Sequence, residues 1–405
     1  MIGTPKANRL HIGIFGKRNA GKSSLLNALV NQDISIVSDI AGTTTDPVEK
    51  TMEFLPLGPV VFIDTAGVDD VGDLGGQRIE KTKKIFDRTD IAVIICDYNG
   101  WDDYEIKLFD EFQLRNIPVI AVVNKQDINS ISNEKLNLIK KYVKNPILTS
   151  ISANRNVVYA LKEQFISACP DDFITPPSIL GDIVDAKDTV VLVIPVDKEA
   201  PKGRIILPQV QVLRDLLDNR CKAFVTQETE LKETLNELKV KPKLVITDSQ
   251  AFEAVSKDVP ENINLTSFSI VFARMKGDLN EFYKGARQID NLKDNDKVLI
   301  CESCSHHQIE DDIARVKIPR WIKKKTGKNV EFEYHSGHDF PQNLEKYSLL
   351  IHCGACMTNR REVLSRIMKC NNVGLPITNY GIAIAHCLGI LQRAVTPFNI
   401  MDTVE

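Results

Sequence analysis

The feature that most constrains this chain is Gly16-Lys17-Arg18-Asn19-Ala20-Gly21-Lys22-Ser23, which satisfies GxxxxGK[ST] at every fixed position. Leu10-His11-Ile12-Gly13-Ile14-Phe15 before it reads as a strand, and Lys22 to Asn31 reads as a helix. Strand, loop and helix in that order are the setting in which the motif has a mechanism. Backbone N–H groups of such a loop turn inward, the helix N-terminus adds the positive end of its dipole, and together they cradle phosphates. Lys22 is then expected to reach the β- and γ-phosphates, and the Ser23 hydroxyl to ligate Mg²⁺. Asn19, Ala20, Gly21 and Ser24 complete the expected nucleotide contacts.

Further motifs follow in an informative order. Val60-Val61-Phe62-Ile63 reads as a buried strand ending in Asp64-Thr65-Ala66-Gly67. An acidic residue at that strand end holds the Mg²⁺ shell, and the Gly67 N–H is placed to contact a γ-phosphate and sense its loss. Val119 to Val123 reads as a strand leading to Asn124-Lys125-Gln126-Asp127, which resembles the guanine-reading NKxD motif of GTPases. A carboxylate such as Asp127 accepts from the N1–H and exocyclic amine of guanine and finds no such pair on adenine. Ser150-Ile151-Ser152-Ala153, after a strand near Pro146 to Thr149, resembles the fifth, base-contacting motif of the same proteins, through Ser152 and Ala153. Each motif falls at a strand end, where open α/β sheets bind ligands.

Ala41-Gly42-Thr43-Thr44-Thr45-Asp46-Pro47 resembles the GTTxD first switch of the group that includes tRNA-modification and ribosome-assembly GTPases. That resemblance implies Thr44 as an Mg²⁺ ligand, with Thr43 as the alternative register. Val68 follows Gly67 where Ras-like proteins carry a water-orienting glutamine, so slow intrinsic hydrolysis is expected and no catalytic residue is assigned. Asn19 resembles the K⁺-binding asparagine of potassium-activated members, which makes Asn19 and Thr43 candidate K⁺ ligands. The plainer alternative is that Asn19 only shapes the loop.

Bulk properties narrow the setting. A chain of 405 residues suggests two or three domains. The formal net charge of −3 supplies no global positive field for nucleic acid. The basic run Arg320-Trp321-Ile322-Lys323-Lys324-Lys325 reads as the solvated face of a helix end. No apolar run approaches the ~18 residues of a membrane span, and Met1 to Asn8 has no apolar signal core, so a cytoplasmic setting is expected. The middle segment restarts a strand–helix pattern at Thr189 to Ile194, with Pro208 at a helix start, and carries no catalytic constellation. It reads as a scaffold or self-association surface.

Nine cysteines are too few for a disulfide scaffold, and six of them lie after residue 300. Lys297 to Ile300 reads as a strand leading to Cys301-Glu302-Ser303-Cys304-Ser305-His306-His307, and Tyr347 to Ile351 as one leading to His352-Cys353-Gly354-Ala355-Cys356. The pattern is Cys-x-His, then 45 residues (307 through 351), then His-Cys-x-x-Cys. Spacing alone leaves two centres open. A structural zinc fits Cys304, Cys353, Cys356 and one histidine; an iron–sulfur cluster with three cysteines and one exchangeable ligand fits equally.

A GTPase domain joined to that cysteine pattern resembles the GTPases that mature (FeFe) hydrogenase. Ala200-Pro201-Lys202-Gly203-Arg204, Leu207-Pro208-Gln209-Val210-Gln211 and Thr378-Asn379-Tyr380-Gly381 carry the same resemblance. It implies an α/β chain: a P-loop GTP-binding domain over 1–168, a small α/β dimerisation domain over 175–265 and an α/β cluster domain over 266–405. It also implies a homodimer, GTP and Mg²⁺, and a 4Fe–4S cluster on Cys304, Cys353 and Cys356. His306 matches the family's fourth-ligand position; His352, a carboxylate or solvent are substitutes. Cys301 is read as a bystander, and Cys370 and Cys387 as packing residues. The implied role is a scaffold and carrier for the di-iron precursor, dealing with apo-hydrogenase and the radical-enzyme maturases, with no separate catalysis by the cluster domain. The rival is a ribosome- or tRNA-associated GTPase with a C-terminal zinc module; a third reading is a redox-sensing GTPase with no client.

Overall fold

The computed structural model describes residues 6–30, 38–40, 48–55, 57–65, 84–151, 157–170, 173, 178–195, 205–303, 312–338 and 340–400. The chain divides into two compact units, Met1–Pro176 and Pro177–Glu405. Among the described residues no helix is long and apolar enough to cross a membrane.

In the first unit the strands are β1 (Leu10–Phe15), β2 (Ser38–Ile40), β3 (Val48–Phe54), β4 (Gly58–Asp64), β5 (Ile91–Cys96), β6 (Val119–Val123) and β7 (Ile147–Leu148). They form one sheet in the order β2-β3-β4-β1-β5-β6-β7. β4 through β7 run parallel to β1 or to its parallel neighbours, while β3 runs antiparallel to both β2 and β4. The central strands are near-continuous apolar runs, as expected where helices cover both faces. Helices α1 (Lys22–Val30), α2 (Asp103–Leu114), α3 (Asn133–Tyr142) and α4 (Val157–Ala168) supply that cover. Leu25, Leu29 and Phe165 pack on one face with Ile12 and Phe62; Phe86, Phe112 and Ile139 pack on the other with Phe15 and Ile63. The register Ile14↔Asp64 sets the start of the phosphate loop beside the end of β4.

The second unit holds two parallel sheets. The first contains β8 (Thr189–Val193), β9 (Lys222–Thr226), β10 (Leu244–Thr247) and β11 (Asn264–Ser267) in the order β11-β10-β8-β9. Helices α5 (Leu207–Asp218), α6 (Leu231–Glu237) and α7 (Phe252–Asp258) connect them. Pro208 stands in the first turn of α5, where its missing N–H costs nothing, and Gln209 Oε1 accepts from the Ile206 N–H at 3.0 Å. The apolar residues of α5 split between two directions. Val212 and Leu216 are buried, whereas Val210 and Leu217 are exposed.

Helices α8 (Phe268–Lys276) and α9 (Leu279–Arg287) lead into the second sheet. Its strands β12 (Lys297–Glu302), β13 (Glu331–Ser336), β14 (Leu349–His352) and β15 (Ile377–Asn379) lie in the order β13-β12-β14-β15, with α10 (Ile318–Thr326), α11 (Arg360–Asn372), α12 (Tyr380–Cys387) and α13 (Leu391–Val395). The segments 175–265 and 266–405 share one core. Val191, Val245 and Leu265 of the first sheet join Leu299 and Leu350 of the second, with Ile270 and Ala273 of α8 among them. Phe268, Val271 and Phe272 face the first sheet's other core. Helix α8 therefore belongs to both layers, because apolar residues surround it on more than one side. The basic run ends α10: Ile322 is buried, Lys323 to Lys325 are exposed, and Gly327 closes the helix in the left-handed region.

Candidate functional site

The phosphate loop leaves β1 at Gly16, whose φ of 143° is open to glycine; a Cβ there would collide with the Ile95 carbonyl. Gly21, at φ 111°, leaves room for the Asn124 carboxamide. Lys22 is buried at the start of α1 and its ammonium donates to the Gly16 carbonyl and, at 2.9 Å, to the Lys17 carbonyl. The Ser23 hydroxyl donates to Asp64 Oδ2 at 2.9 Å, so the two expected Mg²⁺ groups already meet. Thr65 is pinned to the end of β1 by its hydroxyl, 2.7 Å from the Ile14 carbonyl. Ser24 is exposed on the first turn of α1.

Asn124 ties three motifs together. Its Nδ2 donates to the Ala20 carbonyl at 3.0 Å, and its Oδ1 accepts from the Ile151 N–H at 3.0 Å. The phosphate loop, the NKxD turn and the start of the fifth motif are thus held at one sheet edge. Lys125 has φ 60° and Asp127 is exposed at that edge. Asn19 has φ 62°, a left-handed conformation that asparagine tolerates better than most residues. That supports a loop-shaping role and leaves K⁺ binding a separate question. Thr43, Thr44, Ala66, Gly67, Val68, Ser152 and Ala153 lie outside the described residues.

A second site forms where β12 and β14 end side by side, with Cys301 opposite His352. The Cys353 N–H donates to the Cys301 carbonyl at 2.9 Å, which carries the pairing one residue past the strand. The Ser303 N–H donates to Cys353 Sγ at 3.1 Å, the Ser303 hydroxyl meets the same sulfur at 3.1 Å, and the Ala355 N–H approaches it at 3.4 Å. Burial pushes the Cys353 thiol up, but the His352 ring, the Ser303 hydroxyl and the Ala355 N–H outweigh it and hold the thiol at about 6. Burial, then the neighbouring Cys353, pushes Cys356 up. Cys301 is fully buried, packs in the apolar core, and is pushed up to about 12 by that burial. Cys370 and Cys387 are likewise raised to about 12 by burial.

His352 does not serve as a spare ligand. Arg366 has no acceptor, so its guanidinium donates to His352 Nε2 at 2.8 Å; Nδ1 then carries the proton and donates to the Cys353 carbonyl at 2.8 Å. Both ring nitrogens are occupied and the side chain is 1% exposed. Arg366 also donates to Glu362 Oε1 at 2.6 Å and the Gly337 carbonyl at 2.8 Å, while Glu362 Oε2 meets His338 Nδ1 at 3.0 Å. Asn379 Nδ2 donates to the Cys353 carbonyl at 3.2 Å. Behind the loop, Lys276 Nζ donates to the Ala355 carbonyl at 2.6 Å and the Thr358 carbonyl at 2.8 Å. Burial pushes this ammonium down to about 8, against the pull of Cys356, Cys353 and Glu362.

Cys304 and His306 lie outside the described residues. Among the described residues no three His, Cys, Asp or Glu side chains converge as a metal set. Cys353 and Cys356 nevertheless offer sulfur, amide donors to sulfur and a buried cation, a donor set that suits an anionic thiolate-bound cluster. Sequence reasoning missed Lys276 and Arg366. A lysine at a helix C-terminus reads as a partner of the helix dipole, and nothing local marks it as reaching a loop some eighty positions away.

Two family models cover most of the second unit: the hydrogen maturase F dimerization domain matches residues 179–277, and the hydrogen maturase F tetramerization domain matches 280–397. Together they span more than half of the chain. The chain belongs to the hydrogen maturase F family. Its residues 11–125 match the family model described as a 50S ribosome-binding GTPase, so the hydrogen maturase F segments follow a P-loop GTPase domain, in the α/β architecture expected.

Relatives of the GTPase domain have other names. GTPase Der of Wolinella succinogenes is 36% identical over 171 residues, covering 39% of this chain and 36% of that protein. The tRNA modification GTPase MnmE of Mesoplasma florum is 38% identical over 167 residues, covering 40% of this chain and 35% of that protein. The chain thus spans about a third of the length of these curated relatives. Among solved structures, Aquifex aeolicus Era bound to GDP and aluminium fluoride aligns with 54% of this chain and 93% of its own, at 21% identity and a TM-score of 0.33.

Proposed function

We propose that this chain is a GTP-hydrolysing scaffold and carrier in hydrogenase maturation. It binds a 4Fe–4S cluster through Cys304, Cys353 and Cys356 and holds the di-iron precursor for delivery to apo-hydrogenase. The observation that carries the reading is the sulfur of Cys353, which accepts from the N–H of Ser303, the residue before Cys304, and meets its hydroxyl, inside the hydrogen maturase F tetramerization segment. Three thiolates leave one iron position for an exchangeable ligand, and His306 is the candidate for it. The cluster's contribution is an anchoring iron site; the protein's is to hold the thiolates and supply their hydrogen bonds.

GTP and Mg²⁺ occupy the edge formed by Lys22, Ser23, Asp64 and Asn124. Binding of the γ-phosphate orders the switches around Thr44 and Gly67 and biases contacts with the radical-enzyme maturases and apo-hydrogenase. Hydrolysis is slow because Val68 cannot orient water, and it times exchange of partners. The chain acts as a homodimer in the cytoplasm. The zinc-module rival draws its support from Der and MnmE, whose similarity is confined to about two fifths of the chain.

The test is activation of apo-hydrogenase by wild-type protein and by Cys353→Ser. The variant is expected to lose both visible cluster absorption and activation. Activation that survives loss of Cys353 overturns the assignment.

A further inference from the structure

Lys276 closes helix α8 and is 3% exposed. Its two hydrogen bonds go to the carbonyls of Ala355 and Thr358, which bracket Cys356 in the sequence. Ala355 stands at φ 54°, a backbone conformation that alanine adopts only when its surroundings enforce it. Lys276 therefore holds a strained cysteine loop in place.

Its charge is the more informative feature. Among the described residues no carboxylate lies within ion-pair distance of Lys276; its other neighbour is the face of the Phe272 ring, 5.8 Å from Nζ. A buried ammonium is costly unless it meets negative charge. Its ammonium is held against the backbone on both sides of Cys356, beside thiols that would carry negative charge once they bind a cluster. The residue also comes from the segment matched to the dimerization domain, whereas both cysteines come from the segment matched to the tetramerization domain.

We propose that Lys276 is the positioning residue and built-in counter-charge of the cluster site, so that the dimerization segment sets how readily the cluster accepts an electron. The proposal rests on the cluster reading above. Three thiolates and an oxidised 4Fe–4S core give a net anion, and one-electron reduction adds a further negative charge beside the ammonium. In the test the electron comes from dithionite, with no proton moved and no bond made or broken. A fixed cation stabilises the reduced state more than the oxidised one. Lys276→Gln keeps N–H donors for the two carbonyls and removes the charge. Lys276→Arg keeps the charge.

The experiment is an anaerobic redox titration of full-length, cluster-loaded protein, followed by electron paramagnetic resonance, with iron and sulfide analysis of each variant. Wild type and Lys276→Arg are expected to share a midpoint potential. Lys276→Gln is expected to hold its iron but to favour reduction about tenfold less, which is ~59 mV more negative for one electron. Lys276→Met is expected to lose iron on gel filtration as well. Wild-type potential and iron content in both Gln and Met variants overturns the proposal, as does a shift in Lys276→Arg as large as in Lys276→Gln. A wild type that takes up no iron sinks the cluster reading, and this proposal with it; an iron-loaded wild type with unaffected variants sinks this proposal alone.

Discussion

Ser303 presents both its backbone N–H and its hydroxyl to the sulfur of Cys353, each at 3.1 Å. The two residues lie on neighbouring parallel strand ends, fifty positions apart, and meet because Cys301 stands opposite His352 in the register of β12 and β14. A thiol so placed is acidic. Against the upward push of burial, the hydrogen bonds that Ser303 and Ala355 offer the sulfur favour the thiolate and pull Cys353 below its ordinary 9.0. Alkylation of Cys353 in metal-free protein, followed by peptide mass spectrometry, is expected to show a midpoint below pH 9. Ser303→Ala removes one hydrogen bond to the charged form, of ~1.5 kcal/mol, and raises that midpoint by about one unit. An unchanged midpoint in the variant contradicts the hydrogen bond's role.

The Arg366–Glu362 pair is a stability element of the same sheet. Both side chains are buried, and Arg366 also holds His352 and the Gly337 carbonyl. Arg366→Met leaves Glu362 buried without its guanidinium and should cost about 3–5 kcal/mol, read as a lower unfolding midpoint of the second unit by calorimetry. Adding Glu362→Gln should recover part of that loss, since the buried carboxylate that Arg366 served is then gone. A double variant no better than the single one argues against a charge penalty.

Strand β9 is an edge of its sheet, and Phe224 and Val225 on it are 42% and 55% exposed; Val210 and Leu217 of α5 are exposed as well. An apolar, unpaired edge is a template for pairing with another chain. Val225→Lys is expected to lower the oligomeric state in analytical ultracentrifugation while leaving GTP hydrolysis unchanged. An oligomer that persists unchanged through that substitution places the interface elsewhere.

The potassium question has a direct answer. If Asn19 and Thr43 hold K⁺ as a substitute for an arginine finger, GTP turnover should be at least tenfold faster in KCl than in NaCl at equal ionic strength, and Asn19→Ala should erase the difference. Equal rates in the two salts reduce Asn19 to the loop-shaping role its positive φ already explains.

What was legible in the sequence was local. β1, Gly16 to Ser23 and α1 are contiguous, so a strand, a glycine loop and a helix start could be read together. β12 and β14 announced themselves as apolar runs, and among the described residues Cys301 and Cys353 stand at their neighbouring ends. The strand limits moved slightly: Cys301 lies within β12 and His352 within β14. What was not legible depends on distant partners. Lys276 looks like any basic helix terminus until α8 is packed against the loop of Ala355 and Thr358. His352 looks like a metal ligand until Arg366, fourteen residues on, takes its ring nitrogen. Helix α8, just past the boundary expected at 265/266, contributes to two cores, which no local pattern announces.

Whether the cysteine loop carries an iron–sulfur cluster is read most directly from the metal content and absorption spectrum of anaerobically purified protein. The prediction is brown protein with about four iron and four sulfide per chain, the content of one 4Fe–4S cluster, lost in Cys353→Ser. Colourless protein holding about one zinc per chain and no sulfide would contradict it and return the chain to the zinc-module reading.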